Sequence, residues 1–189
     1  MPLLFPATES FISPAVAAAV APAYILRPLS SSDYAAGVLD VLKDLTTVGD
    51  ISEDKFLAHF EFMKARPGEY FMVVFEKMET RKVVAVGTLL VERKFIHECG
   101  LVGHIEDIAV AKSEQGKHLG KHLIEALDHI GKASGCYKNI LDCSPHNEKF
   151  YEKCGYTNGG FEMVSTTSKR RKDITNLNRS NGFDRLQHD

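Results

Sequence analysis

The run Ile105-Glu106-Asp107-Ile108-Ala109-Val110 leads into Gln115-Gly116-Lys117-His118-Leu119-Gly120-Lys121, after which Leu119, Leu123, Leu127 and Ile130 recur at helical spacing. A chain written this way must fold as strand, glycine-containing turn and helix. Such a turn lets backbone N–H groups approach an anion, and the unpaired N–H groups and dipole of the new helix favour negative charge there. Spacing separates the kinds of phosphate turn. A P-loop needs four residues between its glycines and a Ser or Thr after the lysine. Gly116 and Gly120 are too close, and His122 follows Lys121. A dinucleotide turn needs G-x-G-x-x-G after the first strand of a βαβ unit, which this chain does not offer. The turn is a pyrophosphate site of another kind.

At 189 residues and 44% hydrophobic, the chain suits one globular domain with irregular ends. A formal charge of -2 argues against general nucleic-acid binding. From Ser165 onward, however, six Lys/Arg face three Asp. Residues 166–189 therefore read as a basic, flexible tail around Lys169-Arg170-Arg171-Lys172, with a nuclear signal or an anionic contact as the alternatives. The cysteines at 99, 136, 143 and 154 show neither a C-x-x-C pair nor zinc-ligand spacing, so no metal is expected and free thiols in a reducing, cytoplasmic setting are. Ala15–Ala21 is interrupted around by prolines and lacks a preceding basic residue; it is neither a signal core nor an integral membrane segment. Peripheral association with internal membranes stays open. Residues 1–23 read as a loosely ordered arm.

Between the ends, residues 24–165 form the predicted domain. Tyr24–Pro28 reads as a strand, and Ser32 or Asp33 caps a helix carrying Val38, Leu42 and Leu45. Ser52 caps a second helix carrying Phe56, Phe60 and Met63, stopped by Pro67-Gly68. Tyr70–Lys77 and Lys82–Glu92 read as a hairpin around Met78–Arg81. His104–Val110 is a strand, the long helix follows the turn, Lys138–Cys143 is a strand, Asn147–Lys153 a short helix and Tyr156–Val164 a final strand. The order β-α-α-β-β-β-α-β-α-β predicts an α/β (α+β) fold, a mixed sheet with helices on both faces. Alternation along β-structure puts Glu106 and Ile108 on one sheet face and Asp107 on the other.

The turn resembles the acetyl-coenzyme A loop of the GCN5-related N-acetyltransferase (GNAT) superfamily, Gln/Arg-x-x-Gly-x-Gly/Ala, with Gln115 and Gly120 matching and His118 in place of the middle glycine. The stretches Leu45–Gly49, Glu92–His97, Gly103–Val110 and Phe150–Tyr156 resemble those of the glucosamine 6-phosphate N-acetyltransferase family, in order, over about Ile25 to Met163. The resemblance implies transfer of acetyl from acetyl-CoA to the 2-amino group of D-glucosamine 6-phosphate, on the route to UDP-N-acetylglucosamine. It also implies a homodimer with sites completed across the interface.

Acyl transfer to an amine needs a held thioester, a proton acceptor, oxyanion stabilisation and a proton for the departing thiolate. Backbone N–H groups from Gln115 to Gly120 would bind the pyrophosphate, with Lys117, His118 and Lys121 adding charge. By resemblance, Glu106 and Asp107 line the sugar site, Glu106 accepting the amine proton directly or through water. Ile108, Ala109 and Val110 meet the pantetheine through main chain, the Ile108 N–H polarising the acetyl carbonyl. Asp142 orients the amine. Tyr151, one helical turn after Asn147, carries a phenol able to protonate the thiolate, and Asn147 touches the cofactor in the resembling enzymes. Cys143 invites a covalent role that direct transfer does not need. The basic loop Arg93-Lys94-Phe95-Ile96-His97 suits a phosphate dianion, and the family match assigns Lys94 and His97, with Thr46, to the substrate. The arginine that the family places near position 166 is Thr166 here, leaving Lys169 or Arg170 as substitutes. Two other readings stand beside this one: a GNAT enzyme acting on another amine, such as a protein lysine or a polyamine, and a non-catalytic acyl-CoA-binding module.

Overall fold

Five apolar runs form one sheet in a computed structural model of the chain that describes residues 1–165. The strands are β1 (Tyr24–Pro28), β2 (Tyr70–Lys77), β3 (Lys82–Arg93), β4 (Leu101–Val110) and β5 (Cys136–Ile140), in that spatial order. β1 through β4 pair antiparallel, and β5 runs parallel to β4. A parallel pair needs a long crossover, and the helix Leu119–Ala133 supplies it. Called α5, it follows α1 (Pro14–Val20), α2 (Val38–Lys43), α3 (Glu53–Lys64) and the four-residue α4 (Ile96–Cys99), and precedes α6 (Glu148–Lys153).

The core sits around β3. Val83 through Leu89 are all buried, and because successive strand residues point to opposite faces, unbroken burial means that both faces are covered. α5 lies against β2 through β5, and α2 against β3 and β4. The apolar stripe expected on α5 is present, with Leu119, Leu123, Leu127 and Ile130 all at 2% exposure or less. Asn139 of β5 fits beneath α5 because Gly103 and Gly131 offer no Cβ to block it, and its amide donates to Asp128 at 2.7 Å.

Several elements differ from the sequence reading. Residues 1–23 are not a loose arm. Leu4 donates its N–H to Leu29 O, Phe5 packs edge-on against Phe11 and Phe71, and Val16 and Val20 of α1 are buried. Ser13 caps α1, and His129 of α5 meets Glu9 O at 3.0 Å. The prolines that looked like interruptions include Pro14, which opens α1 at the position where a missing N–H costs nothing. The first capping site lies at Ser30 rather than Ser32, with Asp33 completing a capping box on a short 3-10 turn, and α2 starts only at Val38 after Gly37. β5 stops at Ile140, which leaves Asp142 and Cys143 outside the sheet.

The chain divides into two compact units, one spanning Met1–Leu141 and one beginning at Asp142. In the second, the predicted strand Tyr156–Val164 is absent: Asn158 Oδ1 accepts from Gly160 N, a turn that breaks the run, and Phe161 and Met163 are 95% and 91% exposed. A strand needs a paired edge to satisfy its backbone, and no described strand pairs with this segment. The basic tail at 166–189 and the question of Thr166 lie outside the described residues.

Candidate active site

The site is built on a break in β4. Across the β3–β4 ladder, Thr88 pairs with Glu106 and Val86 with Ala109, so Gly87 alone faces Asp107 and Ile108. This is a β-bulge, and Asp107 takes a left-handed conformation (φ 54°), as the first residue of a G1-type bulge does. The extra residue resets the alternation. A Cβ on Gly87 would meet Ile108 Cδ1 at 2.7 Å and Leu127 Cδ1 at 3.1 Å, so Ile108 turns toward α5. Glu106 shares the opposite face with its partner Thr88. The expected common face for Glu106 and Ile108 is therefore corrected by the bulge, since a one-residue slip exchanges faces.

Glu106 and Asp107 are both exposed at this break. The walls around Asp107 still strip enough water to push its carboxyl above the usual carboxylate value. Thr88 Oγ1 is buried on the Glu106 side without a hydrogen-bond partner among the described residues.

The other edge of β4 opens at the same point. β4 and β5 pair from Leu101–Cys136 only as far as His104–Ile140. From Ile105 to Val110, β4 is paired on its β3 side alone among the described strands. An extended amide chain can add to such an edge by main-chain hydrogen bonds, as expected of Ile108, Ala109 and Val110.

The turn follows directly. After a 3-10 turn (Lys112–Glu114), Gln115 is extended and folds its amide back to Val110 O at 3.3 Å. Gly116 (φ 80°) and His118 (φ 62°) both take the left-handed conformation before α5 begins. No acceptor among the described residues takes the N–H groups of Gln115 through Lys121; the first helical bond is His122 N–H to His118 O. His118, where the resemblance expects glycine, adopts the glycine conformation at a cost of about 1 kcal/mol. The lysines differ from expectation. Lys117 Nζ is 2.6 Å from Glu114 Oε2, and Lys121 pairs with Glu125 at 3.5 Å. Both charges are partly engaged within the protein, whereas the turn's backbone N–H groups have no acceptor among the described residues.

Glu114 is a buried acid beside the turn that the sequence reading did not single out. It is buried, and its carboxylate accepts from Tyr24 Oη (2.6 Å), Lys77 Nζ (2.9 Å) and Lys117 Nζ. Hydrogen bonds from Lys117 and Tyr24 hold its pKa down to about 2. A lone acid one residue before a phosphate turn, amid lysines, was the available signal.

Thr46 is exposed just beyond α2. The neighbouring Asp44 accepts from Lys112 N at 3.0 Å, tying this link to the end of β4 beside the turn.

The basic loop lies at the opposite end of β4. Arg93 pairs with Leu101, so Lys94–His97 stand six strand residues, about 20 Å, from Asp107. Lys94 Nζ is 2.7 Å from Glu92, which also receives His104 at 2.8 Å; these donors lower the Glu92 pKa. His97, Glu98 and Cys99 are all left-handed. That tight turn presents Phe95, 97% exposed, and Ile96 at its tip, with the His97 ring 4.6 Å from that of Tyr137.

Within the second unit, Asp142, Cys143 and Asn147 are exposed and Tyr151 is half-buried. Burial raises the Tyr151 phenol pKa above 10, so it carries its proton at neutral pH. The Cys143 thiol is also raised, by burial and then by Glu148 and Asp142, which disfavours the thiolate that a nucleophile needs. Two surface grooves in the first unit, about 440 Å³ beside α1 and α5 and about 390 Å³ at Arg66–Glu69, include neither bulge nor turn. Concavity alone does not mark this site. Among the described residues, no group of three His, Cys, Asp or Glu is placed to hold a metal ion.

A mixed sheet that splits between two parallel strands, beside a helix opening on unpaired N–H groups, defines an acyl-CoA-dependent transferase. The chain belongs to the acetyltransferase (GNAT) family, whose model matches residues 37–156. It is 52% identical over 141 residues to the glucosamine 6-phosphate N-acetyltransferase of Candida albicans, covering 75% of this chain and 94% of the relative. Glucosamine 6-phosphate N-acetyltransferase 1 of Dictyostelium discoideum is 43% identical over 137 residues, covering 72% and 87%. The crystal structure of glucosamine-6-phosphate N-acetyltransferase from Arabidopsis thaliana superposes with a TM-score of 0.76 at 37% identity, covering 78% of this chain and all of that one. GNAT acetyltransferases use acetyl-CoA.

Proposed function

We propose that this protein transfers acetyl from acetyl-CoA to the 2-amino group of D-glucosamine 6-phosphate, giving N-acetyl-D-glucosamine 6-phosphate and CoA for UDP-N-acetylglucosamine synthesis. The observation that carries the reading is the one-sided pairing of Ile105–Val110 among the described strands, with two carboxylates at its bulge and a following turn whose N–H groups from Gly116 to Lys121 have no acceptor among the described residues. Together they offer an edge for an amide chain, an anion cradle for a pyrophosphate and proton acceptors for an amine.

Acetyl-CoA supplies an activated acyl group on a thioester. The N–H groups of Gln115–Lys121 hold the pyrophosphate, and Ile108 to Val110 bind the pantetheine amides through main chain. Glu106 takes the proton of the attacking amine, directly or through water, as the C–N bond forms and the C–S bond breaks. Asp142 orients the amine, and Tyr151, kept protonated by burial, returns a proton to the departing sulfur. Asn147 contributes to holding the cofactor.

The acceptor phosphate calls for convergent cations, which Lys94 and His97 provide. One hexosamine phosphate is too short to reach from the Asp107 bulge to the same chain's loop, about 20 Å away along β4. The loop therefore serves the site of a second copy. Phe95 and Ile96 at its tip support a homodimer, since two adjacent exposed apolar side chains offer a contiguous patch for a second copy to cover. Thr46 completes the sugar contacts.

Release of free thiol tests the reading. Glucosamine 6-phosphate should give fast release with acetyl-CoA and glucosamine slow release, while a protein lysine or polyamine should give little. Equal rates for the two sugars would reject phosphate recognition, and no release with any amine would reject the enzyme.

A further inference from the structure

Glu114 presents an electrostatic puzzle. A buried carboxylate directly before a turn that binds a pyrophosphate should repel the ligand. Its placement explains why it is tolerated. Tyr24 comes from β1, Lys77 from the end of β2 and Lys117 from the turn itself, and all three converge on this one carboxylate at 2.6 to 2.9 Å. Lys77 also reaches Glu79 at 3.6 Å and so stays in its own hairpin. Three otherwise separate pieces of chain are thus bound at one point, and the only one that carries no regular structure is the turn.

The turn needs such a hold. Gly116 and His118 are both left-handed, and nothing lies within 4 Å of the place a Cβ on Gly116 would occupy. His118 has no side-chain cap to the helix. Left-handed backbone at a non-glycine residue persists only where its surroundings enforce it, and among the described residues Glu114–Lys117 and Gln115–Val110 are side-chain contacts that brace this segment.

Resting on the reading of Gln115–Lys121 as the cofactor turn, we infer that Glu114 is a positioning residue. It anchors the turn to β1 and β2 and neutralises Lys117, so that its N–H groups, rather than lysine charge, recognise the pyrophosphate. The consequence runs against simple electrostatics. Removing this negative charge weakens binding of an anionic ligand, although it frees Lys117 and Lys77.

Calorimetric titration of the full chain with acetyl-CoA tests this, in the wild type, Glu114→Gln, Tyr24→Phe and Lys117→Met. Glu114→Gln should raise Kd about tenfold, the order expected when a supporting contact is lost and a bound geometry loosens. Tyr24→Phe should act in the same direction more weakly. In turnover, KM for acetyl-CoA should rise while kcat at saturation and KM for the amine change less than about twofold, a split that general destabilisation does not produce. Amide exchange at His122, whose N–H closes the first bond of α5 onto His118 O, should speed up in Glu114→Gln without ligand. Unchanged or tighter binding by Glu114→Gln and Tyr24→Phe would overturn the inference. So would a larger loss in Lys117→Met than in Glu114→Gln, which would restore lysine charge as the recognition element. A wild-type protein that does not bind acetyl-CoA would instead overturn the underlying reading of the turn. If Glu114→Gln fails to fold, Tyr24→Phe, which loses one hydrogen bond, decides the matter by the same readouts.

Discussion

Replacing Phe5 with Ala asks whether the first 23 residues are part of the fold. Phe5 is 8% exposed, its ring centroid 5.1 Å from that of Phe71 and 5.9 Å from that of Phe11. Phe71, itself 2% exposed, lies in β2 next to the core. Removing the Phe5 ring forfeits roughly 2–3 kcal/mol of burial and two edge-to-face contacts worth about 0.5–1.5 kcal/mol each. These add up to about 3–6 kcal/mol, and the usual range for a buried Phe→Ala change, about 3–5 kcal/mol, sets the expected loss. For a chain of this size that lowers Tm by roughly 10 °C. The loss cannot exceed the free energy with which the segment docks, because beyond that it opens alone while the sheet stays folded. Urea unfolding followed by far-ultraviolet dichroism measures the loss. Amide exchange at Leu4, which donates to Leu29 O, and at Ala21, which donates to Ala17 O, reports local opening. A midpoint shift equivalent to less than about 1 kcal/mol, with no protection at Leu4 in the wild type, would refute the packing argument.

Other perturbations address the site. His118→Gly removes left-handed strain at the start of α5 and should raise stability by up to ~1 kcal/mol in urea unfolding; a loss of that size would mean the imidazole makes contacts that outweigh the strain. Glu114 titrates at about 2 in the folded chain against an ordinary 4.5, so its stabilisation is complete above pH 4.5 and fades as pH falls toward 2. The stability gap between wild type and Glu114→Gln should close over that window, and a gap independent of pH would refute the assignment. Tyr151→Phe should lower kcat by about 10²-fold or more with little change in acetyl-CoA affinity, as loss of a general acid does; an unchanged rate in stopped-flow thiol release would remove the acid role.

Much of the fold was legible because its signals are local. Ser52, Glu53 and Asp54 announce α3, which starts where they say. The β2–β3 hairpin and the α5 stripe follow from period and punctuation alone. Legibility failed where a segment's fate depends on a distant partner. Leu4, Phe5 and Val16 looked like a proline-broken arm because nothing near them in sequence shows the apolar surface of Phe71 and α5 that they cover. Tyr156–Val164 failed in the opposite sense: its apolar residues looked like a strand, but Gly159-Gly160 and the Asn158 turn weaken it, and no described strand pairs with it. At the site, the chemical identity of Glu106 and Asp107 could be read, whereas their facing could not. The bulge that decides it depends on Gly87, far back in the chain on another strand, leaving one residue opposite two.

The succession of strand, glycine-containing turn and helix from Ile105 to Ala133 was determined by sequence alone, because glycine placement and the onset of a helical stripe are local properties of one stretch of chain. Tertiary structure alone decided what that turn is fastened to and what lies beside it. Glu114 meets Tyr24 and Lys77 only after β1 and β2 have come together, and β4 gains an open edge only because β5 leaves it at His104. The same folding carries Lys94 and His97 to the far end of β4. Backbone hydrogen bonding within one segment obeys near neighbours, but burial of a charge and the end of a strand pairing depend on residues far apart in the chain.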